Sequence, residues 1–159
     1  MIRSIRGRLT VLFLRRRKGR RKERKMGFIE DIAPIIQKYA PQYGIKVCSP
    51  IIAQAVLESK SGTSYKATHG HNYFGLKYRK NRCPVSCGKF LDRSAEQNAD
   101  GSYTNITDYW FQFRNMEDGV IGYFQFISIP AYAGLKGLTD SRKYLEAIRA
   151  AGYATSIRY

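Results

Sequence analysis

The sequence predicts an α+β domain, mainly α, built from a helical lobe and a small β-hairpin lobe. Three observations carry this. Apolar residues recur every three to four positions near both ends of the segment 26–159. Between about Thr63 and Phe113 that period is lost, and Gly, Asn, Tyr and Ser take over around an Asp100-Gly101 step. The 159 residues are 43% hydrophobic, with 12 Tyr and 8 Phe, enough for one packed core and too apolar for wholesale disorder.

The first helix is read from Phe28, Ile32, Ile35, Ile36 and Tyr39, closed by Pro41 and Gly44, with Pro34 marking a bend or a late start. Ser49-Pro50 opens the second as an N-cap followed by proline at the first helical position; it runs through IIAQAVLES to the breaker Ser61-Gly62. Two strand-like runs flank Asn98-Ala99-Asp100-Gly101, the second, Ser102 to Phe113, dense in Thr, Tyr, Trp and Phe. Helices return after Asn115, with Val120, Ile121, Phe124 and Ile127 on one face and Pro130 as the stop. The last begins near Thr139 or Asp140, carries Tyr144, Leu145 and Ile148, and ends at Gly152 in the C′ position.

Charge divides the chain in two. Residues 1–25 hold 12 Lys+Arg and one acid, Glu23, leaving 16 basic against 11 acidic residues in 26–159. The longest apolar run, Val11 to Leu14, is far short of the roughly 20 residues of a membrane span. It is also too short, and too closely followed by arginines, for a signal peptide. The arm reads as a disordered, solvated tail or as an anchor to an anionic surface; alternatively Met26 is the natural start.

Glu58 is the most informative residue. Stepping from Ile51 by four and then three gives Ala55 and Glu58, so this carboxylate lies on the apolar stripe of its helix. Partial desolvation and the negative end of the helix dipole both favour its protonated form, as a general acid near neutral pH requires. A fraying helix end that turns Glu58 to water is the competing reading. Glycoside hydrolysis usually needs a second carboxylate across the cleft, and the β-lobe offers Asp92, Glu96, Asp100 and Asp108. Asp100 is better used in the turn before Gly101, Asp92 and Asp108 lie in strand-like runs and equally suit a strand surface, and Glu96, which precedes the hairpin turn, reads either as an acid swung toward Glu58 or as an exposed loop residue. Tyr73, Phe74, Tyr109, Trp110, Tyr132 and Tyr153 suit stacking on sugar rings, or core packing. His69, His71, Cys83 and Cys87 fit no common zinc spacing, and a local Cys83–Cys87 disulfide is the stronger reading of that pair. No cofactor motif is present, and no metal is expected.

Ile52-Ala53-Gln54-Ala55-Val56-Leu57-Glu58-Ser59, followed by Gly62-Thr63-Ser64, resembles the catalytic helix of the glucosaminidase family of peptidoglycan hydrolases (glycoside hydrolase family 73), which includes autolysins, flagellar muralytic enzymes and phage endolysins. Asn72-Tyr73-Phe74-Gly75-Leu76-Lys77 resembles its Asn-Leu-Phe-Gly-Ile-Lys segment. Pro130-Ala131-Tyr132-Ala133-Gly134-Leu135 resembles its Tyr-containing segment, and Gly152-Tyr153-Ala154-Thr155 its Tyr-Ala-Thr-Asp motif.

The resemblance implies a lysozyme-like fold, with the two lobes flanking a cleft, and a monomer that hydrolyses the β-1,4 bond after N-acetylglucosamine in bacterial cell-wall glycan strands. It places Glu58 on the general acid and Glu96, in Ser94-Ala95-Glu96, near the proposed second carboxylate. Tyr153 and Thr155 match motif residues that line the cleft, and with them Asn72, Phe74, Tyr109 and Tyr132 are the expected substrate contacts. Nucleic acid is not an expected partner. Lys60-Ser61 stands where relatives have Gly-Trp, Ser156 where the motif has Asp, and relatives continue into a further helix beyond Tyr159. Those departures keep an inactive wall-binding module in play, beside a muramidase or lytic transglycosylase on the same fold.

Overall fold

The computed structural model describes residues 3–97 and 100–153, with side chains described from 19 onward except 94–97 and 103. Five helices are arranged around one two-stranded antiparallel sheet: α1 (Arg3–Tyr39), α2 (Ser49–Glu58), α3 (Tyr65–Gly70), β1 (Gly88–Gln97), β2 (Tyr103–Gln112), α4 (Met116–Phe126) and α5 (Ser141–Ala150). Short 3-10 turns at Ala40–Tyr43 and Pro130–Leu135 complete the helical lobe.

α1 begins at Arg3, so the basic arm, expected to be disordered, is helical and continuous with the first core helix. It takes part in the core only from Phe28 onward: residues 19–26 are exposed, whereas Phe28, Ile32, Ile36 and Ala40 are buried. Pro34 neither ends nor delays the helix. α1 packs against α2 and α4, and α5 packs against α2. Ile51, Ala55, Val120, Tyr123, Phe124, Tyr144 and Ile148 fill the space between them.

Most helix boundaries follow from local chemistry. The Asn115 side chain accepts from Asp118 N–H at the start of α4, and Asp140 accepts from Lys143 N–H at the start of α5. Gly152, at φ 83°, sits at C′ of α5; its N–H bonds Arg149 O and the Tyr153 N–H bonds Ile148 O, a Schellman end. The start of α2 differs from expectation. Ser49 is the first helical residue, Cys48 precedes it, and the Ser49 hydroxyl bonds the Ser141 hydroxyl at 2.9 Å, linking the starts of α2 and α5.

One polar network crosses the core. Tyr123 Oη donates to Gln54 Oε1 at 2.8 Å and lies 2.8 Å from Tyr144 Oη, joining α4 to α2 and α5. Burial pushes the Tyr144 hydroxyl up to about 12. All three side chains are buried, so each bond spares a desolvated polar group.

In the β-lobe Phe90 stands opposite Trp110, Asp92 opposite Asp108 and Glu96 opposite Thr104. Asp100 closes the turn as predicted, its Oδ1 accepting from the Ser102 N–H and hydroxyl. A third stretch, 76–78, adds to the free edge of β2: Phe111 N–H bonds Leu76 O, and Tyr78 N–H bonds Tyr109 O.

The two lobes meet tightly at α4. A methyl group on Gly119 would collide with the His71 carbonyl oxygen, which is backbone and cannot swing aside. Gly119→Ala is therefore expected to destabilise the domain by about 2–3 kcal/mol, despite its better helix propensity. Urea unfolding of the two proteins reads this directly, and an unchanged midpoint would show that the segment has room to shift.

Candidate active site

Glu58 is the last residue of α2, on the same face as buried Ile51 and Ala55. The helix end is firmly tied, so the fraying alternative does not hold. The fully buried Ser59 donates its hydroxyl to Ala55 O and accepts from Gly62 N–H at 2.7 Å. Ser61 N–H returns to Val56 O at 2.9 Å. Lys60, Ser61 and Gly62 all lie in the left-handed region, at φ 51°, 56° and 76°. Three such residues in succession turn the chain sharply away and leave the carboxylate facing the loop 72–76.

Gly75 is the floor under the acid. At φ 61°, a Cβ there would stand 3.2 Å from Glu58 Oε2, so glycine serves both the backbone conformation and the close approach. Burial pushes the Glu58 carboxyl above the usual carboxylate range, while the Lys66 ammonium pulls it the other way.

The loop carrying Gly75 is held by Asn72. Its buried amide donates to Leu76 O at 2.9 Å and Phe111 O at 3.0 Å, and its Oδ1 accepts from Leu76 N–H at 2.8 Å. Expected as a substrate contact, Asn72 is a positioning residue for the loop. Phe74 is likewise enclosed, stacked on Tyr123 with ring centroids 4.2 Å apart. Tyr153 reaches the same loop from the end of α5, donating its hydroxyl to Phe74 O at 2.8 Å. Tyr132 is buried against Phe126 and Tyr153. Thr155 lies outside the described residues.

Strand alternation decides which β-lobe residues face the acid. Phe90 lies against Gly70 of α3, and Lys66 of α3 places its Nζ 3.2 Å from the centroid of the Trp110 ring. Trp110, Asp108, Phe90 and Asp92 therefore share the face turned toward α3 and Glu58. Lys77 lies 3.8 Å from Asp108 and 5.8 Å from the Trp110 centroid. Tyr109, expected at the substrate, is on the opposite face, 45% exposed beneath Lys89. Glu96 falls in register four residues beyond Asp92 toward the hairpin tip, about 13 Å along the strand; its side chain is outside the described set.

Lys66 is the site residue with no sign in the sequence; Trp110 stands among the candidate aromatics without being set apart from Tyr109, and Gly75 stands in a motif without a role. The alternation Tyr109-Trp110 carried the signal, since only one of the two can face the cleft. Cys83 is buried with its Sγ on Gly122 O, and Cys87 is exposed with its Sγ on Gln112 O, so both are free thiols and the expected disulfide is not formed. His71 bonds Tyr73 Oη and His69 stacks on Tyr65; among the described residues no group of three or more His, Cys, Asp or Glu could hold a metal ion.

A partly desolvated acid at a firmly tied helix end, above a glycine floor, is suited to protonating a glycosidic oxygen. The family model for glucosaminidase (mannosyl-glycoprotein endo-beta-N-acetylglucosaminidase) matches residues 33–159. The chain belongs to the glucosaminidase family. It is a glycoside hydrolase with a lysozyme-like fold. The match leaves the basic arm outside it. A peptidoglycan hydrolase mutant from Sphingomonas sp. A1 superposes with a TM-score of 0.71 at 25% identity, over 84% of this chain and 86% of that one. A C-terminally truncated glycoside hydrolase domain of FlgJ from Salmonella typhimurium superposes at 0.63 with 20% identity, over 85% and 89%. The catalytic domain of the autolysin Auto from Listeria monocytogenes gives 0.53 at 18%, over 82% and 85%. No curated protein sequence matches the chain.

Because burial favours the neutral carboxyl of Glu58, its contribution to stability is fully present below the unfolded pKa and is lost as pH rises through the folded value. Glu58→Gln is neutral at every pH. Its melting temperature relative to the parent is expected to be flat near about pH 3, below the unfolded value of roughly 4.3, and to rise above that value toward about pH 7. A difference that stays flat across that range would mean the carboxylate is well solvated.

Proposed function

We propose that this glucosaminidase hydrolyses the β-1,4 bond after N-acetylglucosamine in bacterial peptidoglycan, with Glu58 as general acid. The observation that carries the reading is the setting of Glu58: a carboxyl that burial shifts toward its protonated form, fixed at a helix end beside Gly75. In the first step Glu58 gives its proton to the leaving oxygen as the oxocarbenium-like centre develops. The hairpin face bearing Trp110 and Asp108 lies on the other side of the acid; Trp110 is itself buried beneath Lys66, so it supports that side from within. Tyr153 supports the floor through its bond to Phe74 O. Glu96 is the proposed second carboxylate, acting on water or on developing charge at the opposite face of the sugar. The place of action is the cell wall.

Purified peptidoglycan digested by the parent protein, then reduced with borohydride, is expected to carry reduced N-acetylglucosamine ends by mass spectrometry. Glu58→Gln should lower the rate by about 100- to 10,000-fold. Reduced muramic ends or anhydro-sugars would instead indicate a muramidase or a lytic transglycosylase. Full activity in Glu58→Gln would sink the assignment of the acid, and no products from the parent would indicate a binding module.

The arm supports a second element of the reading. Residues 19–25 are exposed and include five Lys and Arg besides Glu23 and Gly19. We infer that the arm holds the enzyme on anionic wall or membrane surfaces by charge. Removing residues 1–25 should abolish the steep salt dependence of sedimentation with intact walls, while the rate on soluble glycan fragments stays within about twofold. Equal salt dependence in both proteins would exclude this role.

A further inference from the structure

The contact between Lys66 and Trp110 joins the helical lobe to the hairpin beside the acid. Lys66 lies in the first turn of α3, and its Nζ stands 3.2 Å from the Trp110 centroid. Trp110 is 3% exposed, and its indole Nε1 has no hydrogen-bond acceptor among the described residues. A buried indole usually finds a partner for its N–H. Here no such bond orients the ring, and the directional polar contacts it makes are cations over its face, Lys66 close and Lys77 at 5.8 Å.

The charged groups around Glu58 divide by element. On its own turn Lys60 is exposed; α3 carries Lys66 and the exposed His69; the 72–78 stretch carries Lys77, which lies beside Asp108. From the hairpin come Asp108 and Asp92, opposite each other. Among the described residues, Lys66 is the charge that opposes the effect of burial on the acid.

We propose that Lys66, seated on the face of Trp110, is a positioning residue that acts on Glu58 by charge and fixes the hairpin wall relative to the acid. The inference rests on Glu58 being the general acid. An ammonium beside that carboxyl eases proton release to the leaving group and keeps the acid from being held too strongly neutral by burial. Its seat on Trp110 couples this field to the position of the wall, so the acid is tuned when the hairpin base is docked. The substitution needs no new fold: Lys66 is only half-buried, and its removal leaves the α3 cap at Ser64 intact.

The test is the pH profile of kcat/KM for the parent, Lys66→Met, Lys66→Arg and Trp110→Phe. The alkaline limb reports the free enzyme's acid. Lys66→Met should move that limb to higher pH, because the carboxyl then keeps its proton longer, and Lys66→Arg should restore it. Trp110→Phe keeps a ring under the ammonium and should leave the limb near the parent's. Trp110 is the single tryptophan in the chain, so emission reads the same contact independently of activity. Lys66→Met should change its intensity or wavelength, and Lys66→Arg should change it less. An unmoved limb in Lys66→Met, with emission altered, would overturn the action on Glu58. Unaltered emission would overturn the seat on Trp110. If instead Glu58→Gln retained activity, the assignment of the acid would fail while the emission result still tested the contact.

Discussion

The cleft depends on the amide of Asn72. Its three bonds close the loop 72–76 on itself and fasten it to Phe111 of β2, inside protein where no water could replace them. Removing that side chain would take the partner from Leu76 N–H and a donor each from Leu76 O, left with Phe111 N–H alone, and Phe111 O, at the junction of both lobes. Everything facing the acid hangs from this point. Gly75 is brought under Glu58, Phe74 is turned inward onto Tyr123, and residues 76–78 are presented to the edge of β2.

The opposite side of the acid is held by a different interaction. α2 is only ten residues long, too short to be stable from propensity alone, so its position comes from packing. Ile51 and Ala55 supply the apolar contact, while Gln54, Tyr123 and Tyr144 fix its rotation through directional bonds. Apolar packing tolerates small rotations, whereas a buried amide–hydroxyl pair does not. Since Gln54 and Glu58 are one turn apart, fixing one aims the other. The acid is thus placed by two buried amides, Gln54 behind it and Asn72 before it.

Much of this was legible in the sequence, and what was not has a physical reason. Asn115, Asp140, Asp100 and Gly152 act through bonds to residues within a few positions, so local pattern suffices to read them. The stripe Ile51–Ala55–Glu58 was readable because helical geometry fixes which residues share a face. Ser49 was misread because its hydroxyl is taken by Ser141, 92 residues away. Asn72 and Phe74 looked like substrate contacts because their motif was visible, but burial is a property of the assembled lobes. Tyr109 and Trp110 could not be separated without knowing which face of the hairpin meets α3. The helical path of the arm was also not legible, since composition reports its charge and not its continuity with α1.

The construction assigns different precision to the two walls. A two-stranded ribbon is marginal by itself, and among the described residues its support is gathered at the base. Phe90 lies on Gly70, Trp110 under Lys66, and Leu76 and Tyr78 pair with β2. Proton transfer demands hydrogen-bond geometry, which suits a carboxyl on a packed helix end. A group that activates water or stabilises diffuse positive charge tolerates a looser position. A site divided this way can admit a bulky glycan strand past the hairpin without disturbing the acid, and the cation seated on Trp110 is where the exact wall and the looser one touch.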